Sequence, residues 1–312
     1  MSKFTALVKN EFMKLFSRTG TWVMAGILAV VIIGGALITL LNTEPPADNW
    51  RAEVQQQVEG DREALAEDPE AVFLQERLTL NNYRLDNDIA PINDATQWGF
   101  VDFVSILTMF VTLFTVIAAT SSVAGEFTNG TIKLLLIRPV KRWMILLSKL
   151  IVSLFYAAGL LLLLFVTAYL AGGLFFGFQS PQLTTLYIDN GQVVEQSMAA
   201  SIWAGYGLAM VNLVMMTIFA FMIAAIFRNS SIAIGLTIFL MFAGTNVVVF
   251  LSQYDWAKYI LFANTDLRMY FGTGEPLIDG MTLGFSIVIL AIYFAVFAFL
   301  TFFVFSKRDV AA

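Results

Sequence analysis

SSVAGEFTNGTIKLLLIRPVKRW, residues 121–143, lies between GFVDFVSILTMFVTLFTVIAAT (99–120) and MILLSKLIVSLFYAAGLLLLLFVTAYLAGGL (144–174). Both flanks exceed the roughly 18 apolar residues that cross a bilayer as a helix. The segment between them carries Lys133, Arg138, Lys141 and Arg142 against a single acid, Glu126. Two spans joined by a short basic loop predict helices threading a membrane, with the loop on the inner face.

The rest of the chain agrees with that start. It has 312 residues, 58% of them hydrophobic and only 13% charged, where a soluble domain carries about 25% charge. Six spans are predicted, at 20–41, 99–120, 144–174, 202–227, 232–251 and 281–305, as one all-α polytopic domain covering 1–312. Between and around them lie 1–19, 42–98, 121–143, 175–201, 252–280 and 306–312. Twelve Lys and Arg fall on the side of the basic loop and six on the other, where acids dilute them. That bias puts both termini in the cytoplasm of a plasma-membrane protein, and the even span count agrees. The first span is too long for a signal-peptide core, and no small-residue cleavage site follows it.

The entry segment alternates Phe4, Leu7, Val8, Phe12, Leu15 and Phe16 with Lys3, Lys9, Asn10 and Lys14. This is helical amphipathic spacing, and a basic amphipathic helix in the inner interface is the natural reading. The long outer loop, 42–98, is strongly acidic and is expected to form a small helical cap. Asp68-Pro69-Glu70 has the form of a helix start, with Asp as N-cap and Pro in the first turn. Val72, Phe73, Leu80 and Tyr83 would then make an apolar stripe. Asn190-Gly191 suggests a tight turn. Residues 252–280 mix aromatics with charges and predict short helices at the outer interface. Gly34-Gly35-Ala36 and Ala168 with Gly172-Gly173 are candidate small-residue packing sites.

Several chemistries are excluded by composition. The chain has neither cysteine nor histidine, so thiolate nucleophiles, Cys- or His-ligated zinc and a Ser-His-Asp triad are out of reach. No phosphate-binding loop of the G-x-x-x-x-G-K-[ST] form is present. No enzyme activity, metal site or nucleic-acid partner is expected. Asp102 is the clear acid inside a span, about one turn from the outer interface marked by Trp98. Intramembrane acids are functional candidates by default, so Asp102 is a possible pathway residue.

In the basic loop, Thr120, Ser121 and Ser122 are expected to end the second span. Ala124 to Thr128 continues as a helix with an exposed acid at Glu126. Asn129-Gly130 breaks it, Thr131 caps a second short helix, and Arg138-Pro139 ends that one. This pattern, Ala124, Glu126, Gly130, Thr131, Ile132, Leu135, Leu136, Pro139, Val140 and Arg142 with Lys149 beyond, resembles the ABC-2 permease family, the membrane subunits of ABC transporters. The resemblance spans nearly the whole chain: entry helix, six spans, long first outer loop and interfacial segments before the last span. It implies that the Glu126 helix is a coupling helix that docks on a separate ATPase, through Glu126, Phe127, Gly130, Thr131, Pro139 and Arg142. The entry helix would pack beside it. The partners implied are two ATPase copies holding ATP and Mg, a second permease copy and membrane lipid.

The expected function is therefore an ATP-driven exporter subunit. A pathway rich in Phe, Met and Tyr suits amphipathic or hydrophobic cargo, such as peptide toxins or antimicrobials. An ion-driven secondary transporter and a non-transporting peptide-immunity or sensor protein are the alternatives.

Overall fold

The computed structural model describes residues 3–43, 49–131, 140–178, 184–189, 191–227, 229–271 and 276–307. The chain is a multi-pass membrane protein, mostly helical, with six helical stretches among the described residues long and apolar enough to cross a bilayer. Helix α1 (Lys3–Phe16) precedes the first span, α2 (Thr19–Asn42). Two polar helices follow, α3 (Trp50–Glu67) and α4 (Val72–Asn87). The second span is α5 (Gln97–Val104), a 3-10 turn at Ser105–Leu107 and α6 (Thr108–Thr128). The others are α7 (Arg142–Phe176), α8 (Met198–Ile226), α9 (Ser230–Leu251) and α10 (Leu283–Lys307).

The corner between α1 and α2 is built by side chains. The last carbonyls of a helix have no partner within it. Thr21 Oγ1 donates to Leu15 O at 2.6 Å and Trp22 Nε1 donates to Phe16 O at 2.9 Å. Two orphan carbonyls of α1 are thus satisfied by the first turn of α2. Arg18 is extended there, so the chain turns without strain. On α1, Leu7, Glu11 and Leu15 recur every four residues and are buried, which sets one face against the bundle.

Helices α2 and α5 pack on α7, and α6 packs on α8 and α9. One apolar core joins α2, α5 and the facing half of α7 through Leu28, Ile32, Phe100, Tyr156 and Leu164. A second joins α6, α8 and α10 through Val116, Phe219, Phe221 and Phe297. The faces turned outward are apolar too: Val30, Leu41, Phe239 and Phe299 are all exposed. A helix that is apolar all round is the form a lipid-facing span takes.

Small residues matter at some of the predicted places. A Cβ on Gly172 would lie 3.0 Å from Gln97 O, so α7 and α5 touch at backbone distance there. Gly34 and Gly35 face open space instead, and in that triplet Ala36 makes the buried contact. Gly99 is the most constrained: a Cβ would meet Asn93 O at 2.1 Å. That carbonyl is held by Thr96 N and Oγ1, while Thr96 Oγ1 accepts from Gly99 N at 3.1 Å. Gly99→Ala must therefore move backbone, and should cost about 1–3 kcal/mol. Gly159→Ala, with nothing near its Cβ, should be neutral or slightly stabilising, since Ala is the better helix former. Paired thermal melts in detergent check this; equal melting of the two variants would refute it.

Three sequence expectations are corrected. Asp68 is not an N-cap: its N–H bonds Ala64 O at the end of α3, and α4 begins after Ala71. Val72 and Phe73 are exposed; where α4 packs on α3, the buried apolar residues are Leu74 of α4 and Val54 and Val58 of α3. The Arg77 guanidinium donates to buried Asp61 across the same seam, so an ion pair does what the predicted stripe would have done. The second-span helix runs on past Thr120–Ser122 to Thr128, in keeping with the helix expected over Ala124–Thr128. Ser122 Oγ donates back to Ala119 O at 2.8 Å, and such hydroxyls are satisfied inside a continuing helix. Finally, a two-stranded antiparallel hairpin stands beside the helices, β1 (Thr184–Asp189) and β2 (Gln192–Ser197), with Asp189 opposite Gln192. Gly191 has φ +78° in its two-residue connection, a conformation glycine adopts without a steric penalty. Tyr83 OH of α4 donates to Glu195 of β2 at 3.0 Å, which ties the hairpin to the polar helices and raises the phenol pKa above its usual value.

Candidate functional site

Four charged side chains meet where α1, α6 and α7 converge. Lys149 Nζ donates to Glu11 Oε2 at 2.8 Å and to Glu126 Oε1 at 3.0 Å. Lys14 Nζ donates to Glu126 Oε1 at 2.9 Å and lies 3.5 Å from Glu11 Oε1. The Thr131 hydroxyl donates to Glu126 Oε2. Every carboxylate oxygen of the pair thus has a partner, and two cations balance two anions. Lys149 is 1% exposed, Glu11 5% and Glu126 6%, while the Lys14 side chain is 37% exposed. Buried charges persist only when paired and hydrogen-bonded, and this junction meets that condition.

Each residue reaches the site for a local reason. Glu11 occupies the buried face of α1, one turn from both Leu7 and Leu15. Lys14 follows it by three residues and lies on the same side. Lys149 is two turns into α7, between buried Ser148 and Leu150. Glu126 lies in the last turn of α6, which Asn129 ends; Gly130 then turns with φ +68°.

The rest of this helix end is also tied down. Thr128 Oγ1 accepts from Ser230 N at 3.1 Å, linking α6 to the start of α9. The Phe127 ring lies edge-on to Phe305 of α10, with centroids 6.2 Å apart. Arg142 donates to Ser306 O at 3.0 Å, where a cation at the end of α10 favours the helix dipole.

The expectation of an exposed acid at Glu126 is corrected by this geometry. The carboxylate points inward, because Lys149 in the adjacent span needs an anion more than a surface does. Of the other predicted residues, Thr131 binds Glu126 and Arg142 binds α10, while Phe127 packs inward. Gly130 is exposed. Pro139 and the second short helix predicted after Thr131 lie outside the described residues. In α1, Phe12 stacks on Phe16 at 5.7 Å and also meets Phe155 of α7. Phe16 continues the aromatic row to Trp22 and Tyr156. Phe4 is half-buried and Lys9 exposed. Asp102 sits far along the second span, outside this junction, and lines a polar cavity with Ser105, Ser201 and Arg268.

Glu11 was not singled out in the sequence. The signal for it was the unpaired Lys149 inside a span, which demands acids within reach, together with the four-residue spacing to Leu7 and Leu15.

Comparison with known proteins places the chain among relatives. Residues 71–311 match the model of a family described as "Protein of unknown function (DUF2705)". The "Uncharacterized protein YhcI" of Bacillus subtilis (strain 168) is 43% identical over 310 residues, covering 98% of this chain and 99% of that protein. The "Uncharacterized membrane protein YdbK" of the same strain is 32% identical over 224 residues, covering 71% of this chain and 87% of that one.

Proposed function

We propose that this chain, which belongs to the DUF2705 family, is the membrane-spanning subunit of an ATP-driven exporter that works with a separate ATPase. The observation that carries the reading is the closed charge junction at the end of α6. A push on the loop after Thr128 reaches Glu126 through one helix turn. From Glu126 it passes to α1 through Lys14 and to α7 through Lys149. Packed interiors respond to such a push by discrete rearrangement rather than by yielding softly.

In this reading the loop at 121–143 faces the cytoplasm of the plasma membrane, and so do both termini. Helix α1 lies along the inner interface as an amphipathic helix. Helices α3 and α4 with the hairpin form an outer cap. Two copies of the chain pair around a path, and two ATPase subunits holding ATP and Mg dock below. The docking surface is the exposed edge of the loop, Asn129, Gly130 and Lys141; Glu126 works behind it as the link to the bundle. The resemblance to ABC-2 permeases supports the same assignment, and cargo is amphipathic or hydrophobic, with peptide toxins and antimicrobials the leading class.

One observation favours a second reading. Buried Glu11, Glu126 and Lys149 are groups an ion-driven carrier could use. Against it, no carboxylate oxygen in the junction is open to a moving ion.

Purification from native membranes in mild detergent, followed by mass determination of the intact complex, tests the proposal. Two copies of this chain with two copies of a soluble ATPase are expected. The chain recovered without a nucleotide-binding partner would reject the exporter reading.

A further inference from the structure

Two cavities adjoin at the end of the bundle away from the charge junction. One, of about 320 Å³, is lined by Asp102, Ser105, Ser201 and Arg268. The other, of about 440 Å³, runs between α6, α8 and α9 and is lined by Thr112, Asn212, Met216, Met241 and Phe262, with Asp266 and Arg268 at its mouth. Arg268 and Leu208 line both. Together they have the size of a small-ligand site, polar and charged at one end, and thioether and aromatic at the other.

The charges have a sign. Asp102 and Asp266 stand against Arg268, the one cation lining either cavity among the described residues. That guanidinium is already engaged: both of its terminal nitrogens lie 3.2 Å from Ser105 Oγ, and it rests on Gly205, where a Cβ would come within 2.5 Å of it. Asp102 makes no hydrogen bond or ion pair among the described residues. Deeper in, the Asn212 side-chain oxygen is buried and has no donor. An exposed carboxylate and a buried amide oxygen without donors, in neighbouring cavities that share Leu208 and Arg268, suit a ligand that brings N–H groups and positive charge. Met and Phe beyond them accept an apolar body of variable shape.

We propose that this joined cavity binds an amphiphilic ammonium, a cation with N–H donors on an apolar body. Asp102 and Asp266 receive the charge, Asn212 accepts an N–H, and Met216, Met241 and Phe262 hold the apolar part. The inference deepens the exporter reading and rests on it for the role of cargo; the binding itself needs no ATPase. The 3-10 turn at Ser105–Leu107 interrupts the second span beside the cavity. Such interruptions often mark hinges, so occupancy at Ser105 and Asp102 has a route to α6.

The test is fluorescence titration of the full chain in nanodiscs, without ATPase or nucleotide, using dansylcadaverine as the ammonium probe. A dansyl probe carrying a sulfonate in place of the ammonium is the comparator, and empty discs are subtracted. Saturable binding of the ammonium is expected, at least about tenfold tighter than the sulfonate. Asp102→Asn should weaken it about tenfold, Asp266→Asn less, and Asp255→Asn, outside both cavities on an exposed turn, not at all. No saturable binding above empty discs, equal binding of the sulfonate, or equal weakening by Asp255→Asn would each overturn the proposal. Should Asp102→Asn not yield folded protein, Asp266→Asn carries the decision, with no loss of affinity counting against the site. Binding without ATPase association would reject the exporter reading alone, and ATPase association without binding would reject this site alone.

Discussion

Lys149→Met is expected to cost about 3–5 kcal/mol of stability, the usual penalty for removing one partner of a buried ion pair. The variant leaves the Glu11 and Glu126 carboxylates facing each other, with half-exposed Lys14 as their only remaining cation in the junction. The side chain of Met fills much of the space, so the loss is electrostatic and not a cavity. The charge ledger makes a sharper statement. Adding Glu11→Gln to Lys149→Met should recover part of the loss, because it restores balance between Lys14 and Glu126. Glu11→Gln alone should be destabilising. Unfolding in detergent, followed by tryptophan fluorescence or circular dichroism, gives all three values. If Lys149→Met melts with the wild type, or the double variant is no better than the single, the junction does not hold the helices together as described.

The second large effect is functional. Lys14→Gln removes the link from α1 to Glu126 while keeping the Lys149 contacts to both acids. Because Lys14 is partly in water, the cost to stability should be about 1 kcal/mol or less. Transmission between the loop and α1 should suffer much more. In the reconstituted complex, stimulation of the ATPase by the permease is expected to fall roughly fivefold or more, the range typical of lost coupling between sites. Basal ATPase activity and complex assembly should persist. Full stimulation in Lys14→Gln would remove α1 from the coupling path. By contrast, Glu126→Lys gathers three lysines around Glu11, so loss of folded protein is expected there rather than clean uncoupling.

Parts of this protein were legible from residue order because their physics is local. An apolar run of span length has only one stable home, since backbone groups in lipid must be satisfied within a helix. That is why the six spans could be read. Asn190-Gly191 spoke for a turn on the same local grounds, and positive φ at Gly191 fits that. The failures were equally physical. Asp68-Pro69 looks like a helix start by its own chemistry, yet the α3–α4 seam, with Leu74 inward and Arg77 on Asp61, starts α4 after Ala71. The exposed acid expected at 126 is buried, because exposure is a property of what lies opposite and not of the residue.

The charge junction makes the division plain. Lys14, Glu126 and Lys149 each drew notice alone, while Glu11 did not. Their partnership spans 138 residues from Glu11 to Lys149, 112 from Lys14 to Glu126 and 23 from Glu126 to Lys149. No spacing rule reaches that far. Asp102, Asn212, Asp266 and Arg268 likewise come from two different helices, α5 and α8, and the stretch before the last span. Amino-acid order by itself determined which segments leave water, since hydrophobic transfer adds up along a short stretch of chain. Only the tertiary structure decided which charges meet and which acceptors stay unpaired, because a buried charge answers to whichever helix packs beside it.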